Sequence, residues 1–349
     1  MRTPFRLLCR CLSGALGRSP SSFDLPSSDD EWAKVLRLSG QHLVTPTLRW
    51  ALREQQLYSD LSAGVADYLD AVHELNQQRN QECAQQFHEV AALLEAISVQ
   101  PVLLKGMAAI ARGLYPSFGE RMLTDLDILV PASRLPDVVE TLVQAGYRTF
   151  PEHGELAGSG GWEVLCHHYP PLFRPDAPAA LELHVQPVDL PFVKLLSSED
   201  VFSAAVRSSW GASDCLVPSP TQFVAHNVIH ALLVNTRGKL ERVSLRQLFE
   251  CALAIQKYGD AVDWCALSRR FEANSEGRAL RQYLALARAC FGQELPVHVQ
   301  TDIWDRWRVD AYLVRGDLDN KVVEWTINLV GQTKSRAKNL CRKPKLIRK

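Results

Sequence analysis

The run LTDLDILVP, residues 123–131, sets Asp125 and Asp127 two positions apart in a stretch that alternates polar with apolar residues. In an extended strand such residues project from one face, while Leu126, Ile128 and Val130 point the other way, into a core. Two carboxylates this close repel and raise each other's proton affinity unless a cation lies between them. Mg²⁺ or Mn²⁺, hard ions that take oxygen ligands, would answer that need. A third acid, Glu182, sits in ALELHVQ, where Leu181, Leu183 and Val185 alternate with Glu182, His184 and Gln186. If the two strands are neighbours, three carboxylates converge. Such a set can hold two metal ions, one activating an attacking hydroxyl and one neutralising a triphosphate and its leaving group. The chemistry implied is in-line displacement at phosphorus. A lone pair of aspartates is also common at turns and solvated strand ends, so the weight rests on the combination. Cleft-facing carboxylates contribute little to a core, so Asp127→Asn is expected to cost function and metal binding rather than fold.

The elements that must position these acids can be read from periodicity. VQPVLLKG, from Val99, is a short β-type run ended by glycine, followed by the helical MAAIARGLY, the stop signal Pro116 and then the acid strand. SRLPDVVETLVQAGY is helical by spacing, and a glycine-rich stretch follows at residues 154–161. Further strands are expected at 163–168 and 180–186. On both sides the spacing is helical. Residues 5–16 read as a short amphipathic helix, DDEWAKVLRLSGQHL as a helix capped by Asp29 or Asp30, Pro46 as the start of another, and 61–97 as one long helix or a closely joined pair. From Ser198 onward the pattern is again helical. The expected fold is α+β: a helical region over 1–97, a small mixed-sheet core over 98–190, a helical region over 191–333 and a basic tail over 334–349.

The chain has 349 residues, 46% of them hydrophobic, enough for a substantial core in two or three units. Lysine plus arginine and aspartate plus glutamate both number 39, so no global field steers the protein to nucleic acid or acidic membrane. Residues 334–349 hold eight basic and no acidic residues, which suits a solvated tail or, less simply, a phosphate-contacting arm. The nine cysteines include no CxxC pair and suit reduced thiols in the cytoplasm. The arginine-rich, acid-free N-terminus raises the alternative of an organelle transit peptide, but Arg10 breaks the apolar run of a signal core. No stretch approaches the 18 or so apolar residues of a membrane span.

The run LLKGMAAIARGLYPSFGERMLTDLDILVP, with LELH some fifty residues later, resembles an uncharacterised nucleotidyltransferase family of the polymerase-β-like superfamily. The resemblance covers the middle third strongly and the flanks weakly, at QHLVTPTLRWAL, HNVIHALL and LRQLFECALAI. It implies that Asp125 and Asp127 are the metal-binding pair and that Glu182 is the third acid, as metal ligand or general base. It further implies that Gly106 lets backbone approach a triphosphate at a helix start, with Lys105 and Arg121 adding positive charge to the phosphates. One departure is Met107, where the superfamily commonly places serine or glycine after the glycine of its turn. The implied activity is metal-dependent transfer of a nucleotidyl group from an NTP, ATP among them, to an acceptor. The missing basic stripe favours a small molecule or protein as acceptor over nucleic acid.

Other groups weigh less. His184 should share a face with Glu182 and either orient it or touch the nucleotide. His226 and His230, four apart in HNVIH, suit packing or capping better than metal, with contact to the acceptor or a phosphate as the alternative. Of His167 and His168, alternation allows at most one to face the site. Glu250 is most simply paired with Arg246, one helical turn away. For Lys105 and Arg121 the plain alternative is surface ion pairing. There is no GxxxxGK[ST] loop and no GxGxxG after a strand, which excludes a P-loop ATPase and a standard dinucleotide fold.

Overall fold

The computed structural model describes residues 3–18, 25–149, 167–294, 296 and 301–316. Of the expected strand at 163–168 only His167 and His168 are described; its other residues, the glycine-rich stretch at 154–161 and the basic tail lie outside the described residues.

The fold is α+β. A seven-stranded mixed sheet comprises β1 (Val102–Leu103), β2 (Asp125–Leu129), β3 (Arg148–Thr149), β4 (Leu172–Phe173), β5 (Ala180–His184), β6 (Val206–Trp210) and β7 (Ser213–Val217), in the order β3-β4-β5-β2-β1-β7-β6. Strands β2 and β5 run parallel with Asp127 opposite Glu182 and Leu129 opposite His184. Residues paired in this way project to the same face. Leu126, Ile128, Leu181 and Leu183 are fully buried on the other.

The β6–β7 hairpin departs from the all-helical expectation beyond Ser198. It turns at Gly211, whose φ of 60° is left-handed, and β7 pairs in parallel with β1 at Val102 and Leu216. VRSSW carries little apolar alternation because β6 is an edge strand, mostly exposed. Its buried residue is Trp210, whose ring packs on Phe87 and Phe118.

The long helix forms as one piece, Ala63–Ala96, 34 residues. At about 1.5 Å per residue it is roughly 50 Å long. It does more than cover the sheet. Asn76 and Asn80, one turn apart and buried, donate their amides to the backbone carbonyls of Gly119 and Arg121, and of Phe118 and Arg121. Arg79 donates to the carbonyl of Leu123. The irregular loop 117–124 has no ladder of its own, so these side chains satisfy carbonyls that would otherwise be buried unpaired. The loop that delivers Arg121 and leads into β2 is thereby fixed.

The N-terminal helix, Pro4–Ser13, buries Phe5, Leu8 and Leu12 against the helices Asp29–Gln41, Thr45–Glu54 and Gly277–Phe291. Side chains of this size are worth about 1.5–3 kcal/mol each when buried. The cap of Asp29–Gln41 is Ser28, whose hydroxyl accepts from the Glu31 amide, so Asp29 and Asp30 occupy the first turn instead. There they complement the helix dipole. Among the described residues no disulfide forms, and Cys265 alone of the described cysteines is exposed. No described helix is long and apolar enough to cross a membrane.

Candidate functional site

The parallel register of β2 and β5 brings Asp127, Glu182 and His184 together, with one potential ligand atom from each within 4.8 Å of the others. The His184 Nε2 lies 2.8 Å from Asp127 Oδ1 and 3.6 Å from Glu182 Oε2. Lys105 reaches the same carboxylates, its Nζ 2.6 Å from Asp127 Oδ1 and 3.4 Å from Glu182 Oε2. It does so from the first residue of the helix Lys105–Ala111, with a left-handed φ of 46°. The amide of Leu104 donates to the carbonyl of Asp127 and ties the helix start to the acid strand. Asp125 stands apart from this cluster, taking a hydrogen bond from the Thr124 hydroxyl and lining the adjacent cleft.

Asp127 is 1% exposed, so it is a buried group rather than the weakly packed one expected from the strand pattern. Burial opposes its charge, but the Lys105 ammonium and the His184 hydrogen bond outweigh burial and hold its pKa well below the usual range. Burial likewise opposes the Lys105 charge, and Asp127 and Glu182 overcome it and raise that pKa. For His184, burial and Lys105 work against protonation, while its bonds to Asp127 and Glu182 prevail and raise the pKa. Asp125 is pushed up, by burial first and the Asp127 charge second. Two carboxylates, Asp127 and Glu182, thus meet the Lys105 ammonium and the His184 ring, with Asp125 on the same strand face. The donor set of two carboxylates and an imidazole, with Asp125 beside them, fits a hard or borderline divalent cation. The buried Nδ1 of His184 has no hydrogen-bond partner, and the ring meets the carboxylates through Nε2.

Gly106 is required here for a local reason. A Cβ at this position would stand 2.6 Å from Leu123 Cδ2 and 2.8 Å from Arg121 Cζ. What approaches its backbone is the Arg121 guanidinium. That guanidinium is buried, and its Nε donates to Glu250 Oε2 at 2.7 Å. Burial opposes its charge and Glu250 restores it, so its pKa rises. Lys105 and Arg121 are therefore in buried ion pairs, not surface ones, and Glu250 pairs across the fold with Arg121 rather than with Arg246. Helical proximity at one turn loses to a bond between a fully enclosed acid and base.

Lys105, Gly106, Arg121 and Asp125 line one side of a cleft, and His226, His230, Arg246, Gln247 and Glu250 from the C-terminal helices line the other. Its enclosed volume is about 90 Å³. Pockets that surround a whole small molecule run from roughly 300 to 1,000 Å³. The enclosed part is of a size for an ion and a phosphate, not a complete nucleotide.

His226 and His230 stand where the alternative to packing put them, on the cleft, whereas Arg246 and Gln247 on this wall were not expected there. His226 and His230 lie in the helix Pro220–Val228 and the π-turn Ile229–Val234 that continues it, with ring centroids 5.9 Å apart. π-Turns concentrate at functional sites, and the HNVIH spacing was the available signal. The His226 Nε2 is buried without a partner, and burial, aided by Lys105, lowers the pKa of this ring to about 3. Both His167 and His168 approach His184, with centroids 5.5 and 5.4 Å from it. His167 lies in a bend and His168 forms an isolated bridge with His184, so strand alternation does not govern this pair. His167 is held by Asp189 at 3.0 Å.

No curated protein matches the chain. The match to a family rests on residues 28–292, which take in the acid strands, Lys105, Arg121 and the histidine wall, well over half of the chain. The chain belongs to the uncharacterised nucleotidyltransferase family.

Proposed function

We propose that the protein transfers a nucleoside monophosphate from an NTP to a hydroxyl, or an amine, of a small-molecule or protein acceptor and releases pyrophosphate. The observation that carries this is the convergence of Asp127, Glu182 and His184 at the β2–β5 register, with the half-buried Asp125 on the same face of β2. Asp125, Asp127 and Glu182 would hold Mg²⁺ or Mn²⁺. A bound divalent ion would polarise the phosphate oxygens and lower the pKa of the attacking hydroxyl.

The remaining work belongs to the chain itself. The acceptor oxygen bonds to the α-phosphorus, the bond from that phosphorus to the α–β bridging oxygen breaks, and the electron pair leaves with pyrophosphate. Glu182 takes the hydroxyl proton, and His184 fixes the orientation of Asp127 and Glu182 through its Nε2. Lys105 and Gly106, with Arg121 packed under Gly106, line the side of the cleft along which the phosphates would lie. Lys105 is a ready counter-ion, since its ammonium already balances part of the carboxylate charge. The neutral overall balance of the chain suits a small or protein acceptor rather than nucleic acid. The described cysteines, nearly all buried thiols, suit the cytoplasm.

A second reading, a regulatory module that keeps the nucleotide site without turnover, is favoured by Met107 in place of a hydroxyl-bearing residue and by Lys105 standing where a cation would sit. The two are separated by incubating the protein with α-³²P-labelled NTPs, Mg²⁺ and an extract of small molecules and proteins. Transfer predicts pyrophosphate release and label in a product, both lost in Asp125→Asn. Binding of an NTP without either would leave the regulatory reading.

A further inference from the structure

Two guanidinium groups, Arg121 and Arg246, line the cleft together with the carboxylates Asp125 and Glu250. Glu250 is committed to Arg121 at 2.7 Å. Among the described residues Arg246 makes no ion pair. Its Nη1 donates to the carbonyl of Met122 at 2.9 Å, and its Nε is buried with no hydrogen-bond partner. A largely enclosed cation without a counter-ion is unfavourable unless something anionic joins it.

The neighbouring group has the same character. Gln247 donates from Nε2 to His230 Nδ1 at 2.9 Å. With Nδ1 accepting, the neutral ring carries its proton on Nε2 and is a donor there. The Arg246 and His230 side of the cleft therefore offers donors to a ligand, and its space of about 90 Å³ admits a tetrahedral oxyanion. Burial first, and the Arg121 charge second, lower the Arg246 pKa to about 10 against the opposing charges of Glu250 and Asp125.

We propose that Arg246, with His230 beside it, seats the terminal phosphates of a polyphosphate chain, the part of an NTP that leaves. This rests on the nucleotidyl-transfer reading for its physiological ligand, but the anion seat itself is a property of the wall. It shifts the phosphate-binding guanidinium from Arg121, which is held by Glu250 and acts as a buttress under Gly106, to a residue 125 positions later in the chain.

The test is calorimetric titration of inorganic tripolyphosphate in EDTA, of Mg·ATP and of AMP, into wild type, Arg246→Gln and Arg246→Lys. Arg246→Gln is expected to weaken tripolyphosphate and Mg·ATP by about tenfold or more, the scale of one charge-assisted contact, and to leave AMP unchanged. Arg246→Lys keeps the charge but loses the fork and is expected to fall between. Thermal melting separates a binding role from a structural one: removing a cation without a counter-ion should leave the apo melting temperature unchanged or raised, and tripolyphosphate should raise it in wild type but not in Arg246→Gln. Tripolyphosphate bound equally by wild type and Arg246→Gln, or not bound by wild type, would overturn the proposal. If tripolyphosphate binds through Arg246 while Mg·ATP does not bind, the seat stands and the transfer reading falls. If Mg·ATP binds and is indifferent to Arg246, the seat falls and the transfer reading stands.

Discussion

Replacing Asp127 by asparagine tests how the acid cluster is held together. The carboxylate is 1% exposed and accepts from Lys105 at 2.6 Å and from His184 at 2.8 Å. Asparagine keeps the volume and one accepting oxygen but removes the charge. Taking one partner from a buried ion pair costs about 3–5 kcal/mol, because the other charge stays behind. Here Glu182, still 3.4 Å from Lys105 and 19% exposed, retains part of the compensation, so the lower end, about 3 kcal/mol, applies. At roughly 2 °C per kcal/mol for a chain of this size, the apo protein should melt about 6 °C lower. Asp125→Asn is the control: that carboxyl has the Thr124 hydroxyl as partner and is destabilised by Asp127, so its loss should move the melting temperature by no more than about 1 °C. Scanning calorimetry in EDTA at pH 7.5 measures both. Equal melting of wild type and Asp127→Asn, or equal losses in the two variants, would refute the claim that Lys105 depends on Asp127.

Three further outcomes are expected. Gly106→Ala should lower stability by about 1–3 kcal/mol in urea melts, since its Cβ would stand 2.8 Å from Arg121 Cζ; a wild-type midpoint would mean that Arg121 moves aside freely. Lys105→Met should bind Mn²⁺ about tenfold more tightly by electron spin resonance while losing NTP affinity, because the ammonium competes for Asp127 and Glu182; weaker Mn²⁺ binding would remove those acids from the metal site. Burial lowers His42 to about 4 and, helped by Lys105, His226 to about 3, so the folded state resists protons that the unfolded chain takes up near pH 6.5. These two rings should make stability fall as pH drops from 7 to 5, by about 4 kcal/mol together in urea melts, and a flat profile over that range would contradict it.

The acid strands were legible because alternation is local: DLDILV and LELH declare both their faces and their shared chemistry within a few residues. The long helix was legible because nothing between residues 63 and 96 breaks it. Partners set by the fold were not. Arg121 finds Glu250 at a separation of 129 residues, and no spacing rule points from one to the other. Asn76 and Asn80 look like ordinary polar positions on an amphipathic helix until the loop carbonyls they satisfy are placed beside them. The β6–β7 hairpin hides because an exposed edge strand needs little apolar alternation, and its contribution is backbone pairing to β1. The strand pattern gave the face of Asp127 but not its enclosure, which comes from Lys105 and His184 closing over it.

The most direct measurement is titration of ATP and the other NTPs into the wild-type protein and Asp125→Asn, each with and without Mg²⁺. Asp125→Asn is the right variant because it should stay folded. The expected result is Mg²⁺-dependent binding of at least one NTP by the wild type, lost or weakened at least tenfold in Asp125→Asn. Binding that ignores both Mg²⁺ and Asp125, or no binding of any NTP by the wild type, would contradict a metal-and-triphosphate site at the β2–β5 register.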